Sequence, residues 1–227
     1  MTTKGPEESA WRSAAHELVG ELRAIDEALV VSELSAGDLA AAAKLAREIR
    51  GRLKGPQRRR WYEVSEANPA LTESARLAYL EQSPIRGLLN PMAPPMELKT
   101  LRMSDGSRRV GARARLGTRY EGPPHGVHGG WVAAMFDEVL GSASGLAESP
   151  GVTAKLKIRY RHVTPTHEEL RFEGWIHEQR GRRLVARATC HAGDTLTADA
   201  EGIFIEVDFD EVQQRMLQRR LAREGGD

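Results

Sequence analysis

A chain of 227 residues with 33 Lys and Arg against 32 Asp and Glu has a formal charge of +1. No global field therefore recruits nucleic acid or an anionic membrane surface. The length allows a substantial core, as one domain with an extension or as two small domains. The single cysteine, Cys190, excludes an internal disulfide framework and suits a reducing compartment. The first residues form no apolar signal segment, and no apolar run approaches the roughly 18 residues of a membrane span. The expectation is a cytoplasmic protein with neither membrane nor nucleic acid as a partner.

Leu18, Leu22, Ile25 and Leu29 recur at helical spacing and predict a helix from about Glu8 to Val31. Ser35 is placed to cap a second helix running through Asp38 to Arg50, with Gly51 near its end. Its stripe of Ala42, Ala46, Ile49 and Leu53 includes residues small enough for close packing on the first helix, so residues 1–53 read as a helical hairpin. Residues 54–96 change texture: a basic turn, Lys54 to Arg60, precedes a short helix near Leu71–Leu80. Pro84, Pro91, Pro94 and Pro95 then impose extended or turning backbone. Ile85, Leu88, Leu89 and Met92 are too apolar for a free linker, which predicts an ordered, wrapping connector.

Residues 97–208 read as strands interrupted by one helix. Strands near Leu98–Met103 and Arg109–Leu116 flank an Asp105-Gly106 turn. A helix follows from Gly130 to about Leu146. Val152, Ala154, Leu156, Ile158 and Tyr160 then alternate with polar residues, the pattern of a half-buried strand. Leu170–Glu178, Arg183–His191 and Thr195–Val207 complete the set, joined by turns at Gly181 and at Gly193-Asp194. One apolar helix followed by meandering antiparallel strands is an α+β arrangement, a sheet wrapped around a central helix with an N-terminal helical extension. Residues 209–227 read as a helical tail, acidic at its start and carrying Arg219, Arg220 and Arg223 near its end.

The densest chemistry lies between Tyr120 and Gly141. A Pro/Gly-rich turn delivers His128, Gly129 and Gly130 to the start of the apolar helix, whose N–H groups and positive dipole end suit a developing oxyanion. Asp137 follows among Met135, Phe136, Val139 and Leu140, where desolvation of a carboxylate calls for a functional reason. Donors for an anion beside a base point to acyl chemistry. Across nine residues of continuous helix, His128 and Asp137 stand roughly 13 Å apart axially and about 180° apart around it. One chain therefore cannot easily grip one acyl group with both, and two antiparallel copies of the helix would bring them together.

His128-Gly129-Gly130 with Asp137, preceded by Tyr120-Glu121-Gly122-Pro123-Pro124 and followed by the run from Val152 to Tyr160, resembles the hot-dog-fold acyl-CoA thioesterases. The nearest subgroup contains the phenylacetate-pathway thioesterases and thioesterase superfamily member four. The resemblance covers about residues 85–208. It implies the hot-dog fold, a homodimer with a shared site, and hydrolysis of acyl-CoA with no cofactor beyond the CoA of the substrate. It also implies a carbonyl bound at Gly129 and Gly130 with His128 beside it, and Asp137 as general base or nucleophile. Thr153 matches a threonine that orients water in the family, although its parity with the charged strand residues points it away from the helix. Arg159, Arg161, Arg182 and Arg183 match positions at which the family binds its ligand, and guanidinium groups suit phosphates.

One departure is plain: some relatives carry an Asn six residues before the histidine as a second carbonyl donor, where this chain has Gly122. Other chemistries fit poorly. His125, His128 and Asp137 lack metal-ligand spacing. Cys190 alternates with Ala186 and Ala188 as a packed strand residue, and Ser142 and Ser144 form no nucleophile elbow. The competing class is a non-catalytic acyl-CoA sensor with N-terminal DNA-binding helices, suggested by the helical pair and Arg58 to Arg60. The packing residues Leu39, Ala42, Ala46 and Ile49 argue against it. The N-terminal helices are expected to cover the dimer or join dimers into a tetramer.

Overall fold

The structure, a computed structural model, describes residues 6–58, 73–147 and 151–207. It comprises two compact units, residues 1–93 and 94–227. The expected C-terminal tail and most of the basic turn's arginines lie outside the described residues.

In the first unit, α1 spans Pro6–Val31, α2 Ala36–Arg52 and α3 Glu73–Gln82. Ser35 caps α2 as expected, its hydroxyl accepting from Asp38 N–H at 3.1 Å. The packing of α2 differs from expectation. Ile49 is the one half-buried residue of α2 and the others are exposed, so its stripe is not laid against α1. The Ala-rich surface of α2 offers little apolar area with which to hold the two helices together. The unit is instead organised around Glu81, buried at 3% exposure, whose carboxylate takes Arg12 of α1 on one oxygen and Arg58 on the other. Arg23 ties α1 to the segment after α3, donating to the carbonyls of Gly87, Asn90, Pro91 and Ala93 at 3.2–3.4 Å.

Among its described residues, the second unit has a six-stranded antiparallel sheet and one long helix. Its strands are β1 Met96–Arg102, β2 Arg108–Arg115, β3 Gly151–Tyr160, β4 Glu169–Arg180, β5 Arg183–Ala192 and β6 Thr195–Glu206. Their order is β1-β2-β4-β5-β6-β3, which places β3 on an edge. Helix α4, Gly129–Ser144, packs against β2, β3, β4, β5 and β6. A sheet that touches one helix with five strands must curl around it. Val132, Met135, Phe136, Val139, Leu140 and Ala143 form the buried stripe of α4. Phe136 meets Phe172 edge to face at 5.3 Å, while Phe204 and Leu170 close the core. Glycines let the helix sit low on the sheet: a Cβ at Gly174 would lie 2.8 Å from Val139 Cγ1. This is the α+β architecture expected from the order of elements.

One strand departs from its predicted form. No residue of β3 is buried, because an edge strand has a neighbour on one side only. Its ladder with β6 also shifts register between Thr153 and Lys155, which leaves Ala154 as a bulge. Below the bulge, Leu156, Ile158 and Tyr160 keep the helix-side parity expected. Above it the parity inverts, and Val152 faces away from the helix while Thr153 faces towards it.

Candidate active site

The turn before α4 is fastened from both sides. His128 N–H donates to Tyr120 O at 2.8 Å, Gly122 N–H to Gly126 O at 2.8 Å, and Val127 N–H to Thr164 O at 2.7 Å. His125 adopts φ +58° at the tip, held by Thr166 N–H on its carbonyl. Tyr120 is buried and meets Trp131 edge to face at 5.1 Å, which anchors the entry to the helix. Gly122 has a steric reason: a Cβ there would stand 2.7 Å from Cα and 3.0 Å from Cβ of His128. On this backbone no side-chain donor can occupy position 122, because His128 fills the space.

His128 is the N-cap of α4, and its Nδ1 accepts Gly130 N–H at 3.0 Å. A neutral imidazole that accepts at Nδ1 carries its proton on Nε2, which makes that atom a donor. The same bond occupies Gly130 N–H, which the sequence had suggested as a second oxyanion donor. Gly129 N–H has no hydrogen-bond partner among the described residues. The Gly129 peptide is oriented by a residue that sequence reasoning missed: Tyr160 Oη donates to Gly129 O at 2.8 Å. The signal available was its parity at the helix-facing end of β3. An open cleft of about 610 Å³ lies here, lined by His128, Gly129, Gly130, Tyr160, Arg161 and Val163 among others, within the size range of small-molecule sites.

Asp137 and Thr153 form a second cluster. Thr153 Oγ1 donates to Asp137 Oδ1 at 2.9 Å. This contact corrects the expectation for Thr153, and the bulge at Ala154 is the cause. Asp137 itself is solvent-exposed in the single chain, contrary to the apolar setting read from its neighbours. Met135, Phe136, Val139 and Leu140 point into the core, whereas Asp137 shares the open side of α4 with Gly130, Ala133, Ala134 and Gly141. The angular argument changes as well. The helix begins at Gly129, so Gly130 and Asp137 are seven residues apart and nearly on one face, about 10 Å apart along the axis. The axial gap remains too long for both to reach one carbonyl.

The arginines divide in the same way. Arg161 Nε pairs with Asp199 Oδ2, and Arg159 Nε stands 4.0 Å from Asp199 Oδ1. These residues lie at the Tyr160 end of β3, the end of the cleft. Arg182 donates to Glu206 O at 2.9 Å in the β4–β5 turn, and Arg183 is paired in register with Ile205. That is the end of the sheet where β3 begins. Asp199 faces Thr189 across β5, six residues or about 20 Å along that strand from Arg183. One chain therefore brings together His128, Gly129, Tyr160 and Arg161 at one end, and Asp137, Thr153 and the Arg182–Arg183 turn at the other.

Cys190 is fully buried, and burial pushes its thiol up to about 11. No group of three or more His, Cys, Asp or Glu side chains is placed to hold a metal among the described residues. No described helix is long and apolar enough to cross a membrane.

A family profile described as the thioesterase superfamily matches residues 125–198, the span from the tip of the turn to β6. Human acyl-coenzyme A thioesterase THEM5 is 29% identical over 97 residues, 42% of this chain and 39% of that protein. Mouse acyl-coenzyme A thioesterase THEM4 is 30% identical over 94 residues, 40% of each. The chain thus spans about two fifths of the length of the curated relatives it matches. A crystal structure of a thioesterase superfamily protein superposes with a TM-score of 0.69 at 28% identity, covering 84% of this chain and 94% of that one. With its curled antiparallel sheet, its central helix and the His-Gly-Gly turn at the head of that helix, the chain has the hot-dog fold and is similar to proteins of the thioesterase superfamily.

Proposed function

We propose that this protein hydrolyses acyl-CoA thioesters to free acid and CoA, as a homodimer in which each site is shared by two chains. The observation that carries the reading is the division of the site: each end of α4 is locally built, yet neither end is complete. A two-fold axis relating antiparallel α4 helices would bring Asp137 and Thr153 of the partner subunit to the Gly129 turn. The same operation would carry the partner's Arg182 and Arg183 towards Arg159 and Arg161, around the CoA phosphates. Three features support such a contact: the small residues on the open side of α4, the outer edge of β3, which no described strand pairs, and the exposed Asp137, which a second chain would desolvate. The curated relatives named as acyl-CoA thioesterases support the reaction class.

In this reading the thioester carbonyl accepts from Gly129 N–H, with the dipole of α4 behind it and His128 Nε2–H beside it. Asp137 of the partner takes a proton from water while the oxygen attacks the carbonyl carbon. The tetrahedral oxyanion then collapses, the C–S bond breaks, and the CoA sulfur leaves with that proton. Direct attack by the carboxylate, giving an anhydride that water opens, is the second route. Thr153 holds Oδ1 of Asp137 in either case. The DNA-binding alternative gains no support from Arg58, whose guanidinium is taken by Glu81 and stacks over Trp11.

The test is release of free thiol from a panel of acyl-CoA esters. Asp137→Asn removes the base at constant volume, and its turnover should fall by about 100-fold or more while the association state stays unchanged. Near-normal turnover in that variant would remove Asp137 from the mechanism.

A further inference from the structure

Apart from the half-buried Ile49, helix α2 is exposed along its length, although its sequence is patterned for burial. Leu39, Ala42, Ala46, Ile49 and Leu53 follow each other at intervals of three, four, three and four, the a and d positions of a two-helix seam. Leu45 flanks that stripe; it and Leu53 are both 61% exposed. Seventeen residues form a helix about 25 Å long, near the length at which an isolated helix is marginal in water. A solvated helix gains nothing from a continuous apolar stripe.

The charges of α2 say what fits against it. Asp38 lies in its first turn, and Arg50 and Arg52 in its last. Two parallel copies in register would set Asp38 against Asp38 and Arg52 against Arg52. Two antiparallel copies centred near Lys44 place Asp38 of each beside Arg52 of the other, and Leu45 beside Leu45. In that register Leu39 packs opposite Ile49 and Ala42 opposite Ala46. The four layers within the helix thus pair a large residue with a large one or a small with a small, Leu53 extends past them opposite the partner's Ser35, and the alanines let the helices approach closely. Lys44, Arg47, Glu48 and Gly51 remain on the outer side.

We infer that α2 is a self-association helix, whose heptad face pairs antiparallel with α2 of a second copy of this chain. The inference does not rest on the hydrolytic reading, because α2 supplies no residue to the cleft or to the Asp137–Thr153 cluster.

Full-length Leu45→Cys and Arg47→Cys variants are treated with a short bis-maleimide and resolved by denaturing electrophoresis. The parent chain, whose only thiol is the buried Cys190, serves as the blank. Leu45→Cys is expected to give a covalent dimer, and Arg47→Cys, on the outer side, to stay monomeric. Adding Leu39→Glu and Leu53→Glu to the Leu45→Cys chain should abolish the dimer, because it charges the seam at positions already exposed in the single chain. Equal cross-linking at both sites, no cross-linking at position 45, or persistence of the dimer after the Glu substitutions would each overturn the pairing. Thioesterase turnover of the Leu39→Glu/Leu53→Glu chain separates the two readings: loss of the cross-link with turnover retained leaves the hydrolytic site untouched.

Discussion

At the scale of single residues, the site is set by contacts that no spacing rule contains. Tyr160 is the clearest case. Its hydroxyl meets Gly129 O at 2.8 Å, which aligns the peptide that follows the proposed oxyanion donor. Tyr160→Phe removes one hydrogen bond at a half-exposed site, so stability should fall by no more than about 1 kcal/mol. Turnover should fall further than that loss of stability accounts for, with KM little changed. Steady-state kinetics beside a thermal melt distinguishes this from simple loosening, and unchanged kcat would leave the tyrosine with a structural role only. Cys190 illustrates the opposite, a reactive residue type made inert. With its thiol buried and pushed up to about 11, the thiolate is scarce at neutral pH. Native protein should resist iodoacetamide at pH 8 and react fully once denatured, as mass spectrometry would record. Rapid native alkylation would contradict this burial.

Among the elements, α4 was legible because its pattern is strong: buried residues at helical spacing and a capping turn at its head. The faces of β3 were only partly legible. Alternation predicted which side Leu156, Ile158 and Tyr160 occupy, but one extra residue at Ala154 inverts everything before it. A bulge has no composition signature here, so the orientation of Thr153 emerges only from its pairing with Phe204. The depth of α4 on the sheet likewise rests on close contacts. A Cβ at Gly174 would lie 2.8 Å from Val139 Cγ1 and 3.3 Å from Val139 O. Gly174→Val should therefore destabilise the fold by about 1–3 kcal/mol through overpacking, although valine favours strands. A thermal melt followed by circular dichroism measures the effect; an unchanged or higher Tm would mean that the helix moves away without penalty.

For the whole molecule, the decisive question is whether a site is shared. Under the proposed arrangement, Asp137→Asn chains lack one half of every site and chains disabled at Gly129 lack the other. After subunit exchange, mixed dimers should regain activity, up to one intact site in each. Exchange verified by mass with no recovery would count against sharing. The division of His128, Gly129, Tyr160 and Arg161 from Asp137, Thr153 and Arg182 along the axis of α4 makes this the most informative experiment on the assembly.

The sequence by itself determined the order of elements, the turn that delivers His128 and Gly129 to a helix start, and the separation of that turn from Asp137. These depend on local chemistry: periodicity, glycine and proline geometry, and the fixed rise of a helix. The tertiary structure alone decided that Asp137 is exposed, that Thr153 reaches it, that Tyr160 reaches Gly129, that Asp199 engages Arg161, and that the apolar stripe of α2 is left open. Each of these depends on residues far apart in the chain, or on one residue of register. Local patterns are blind to both, because a strand's face inverts with a single insertion and a side chain's partner is chosen by the fold that surrounds it.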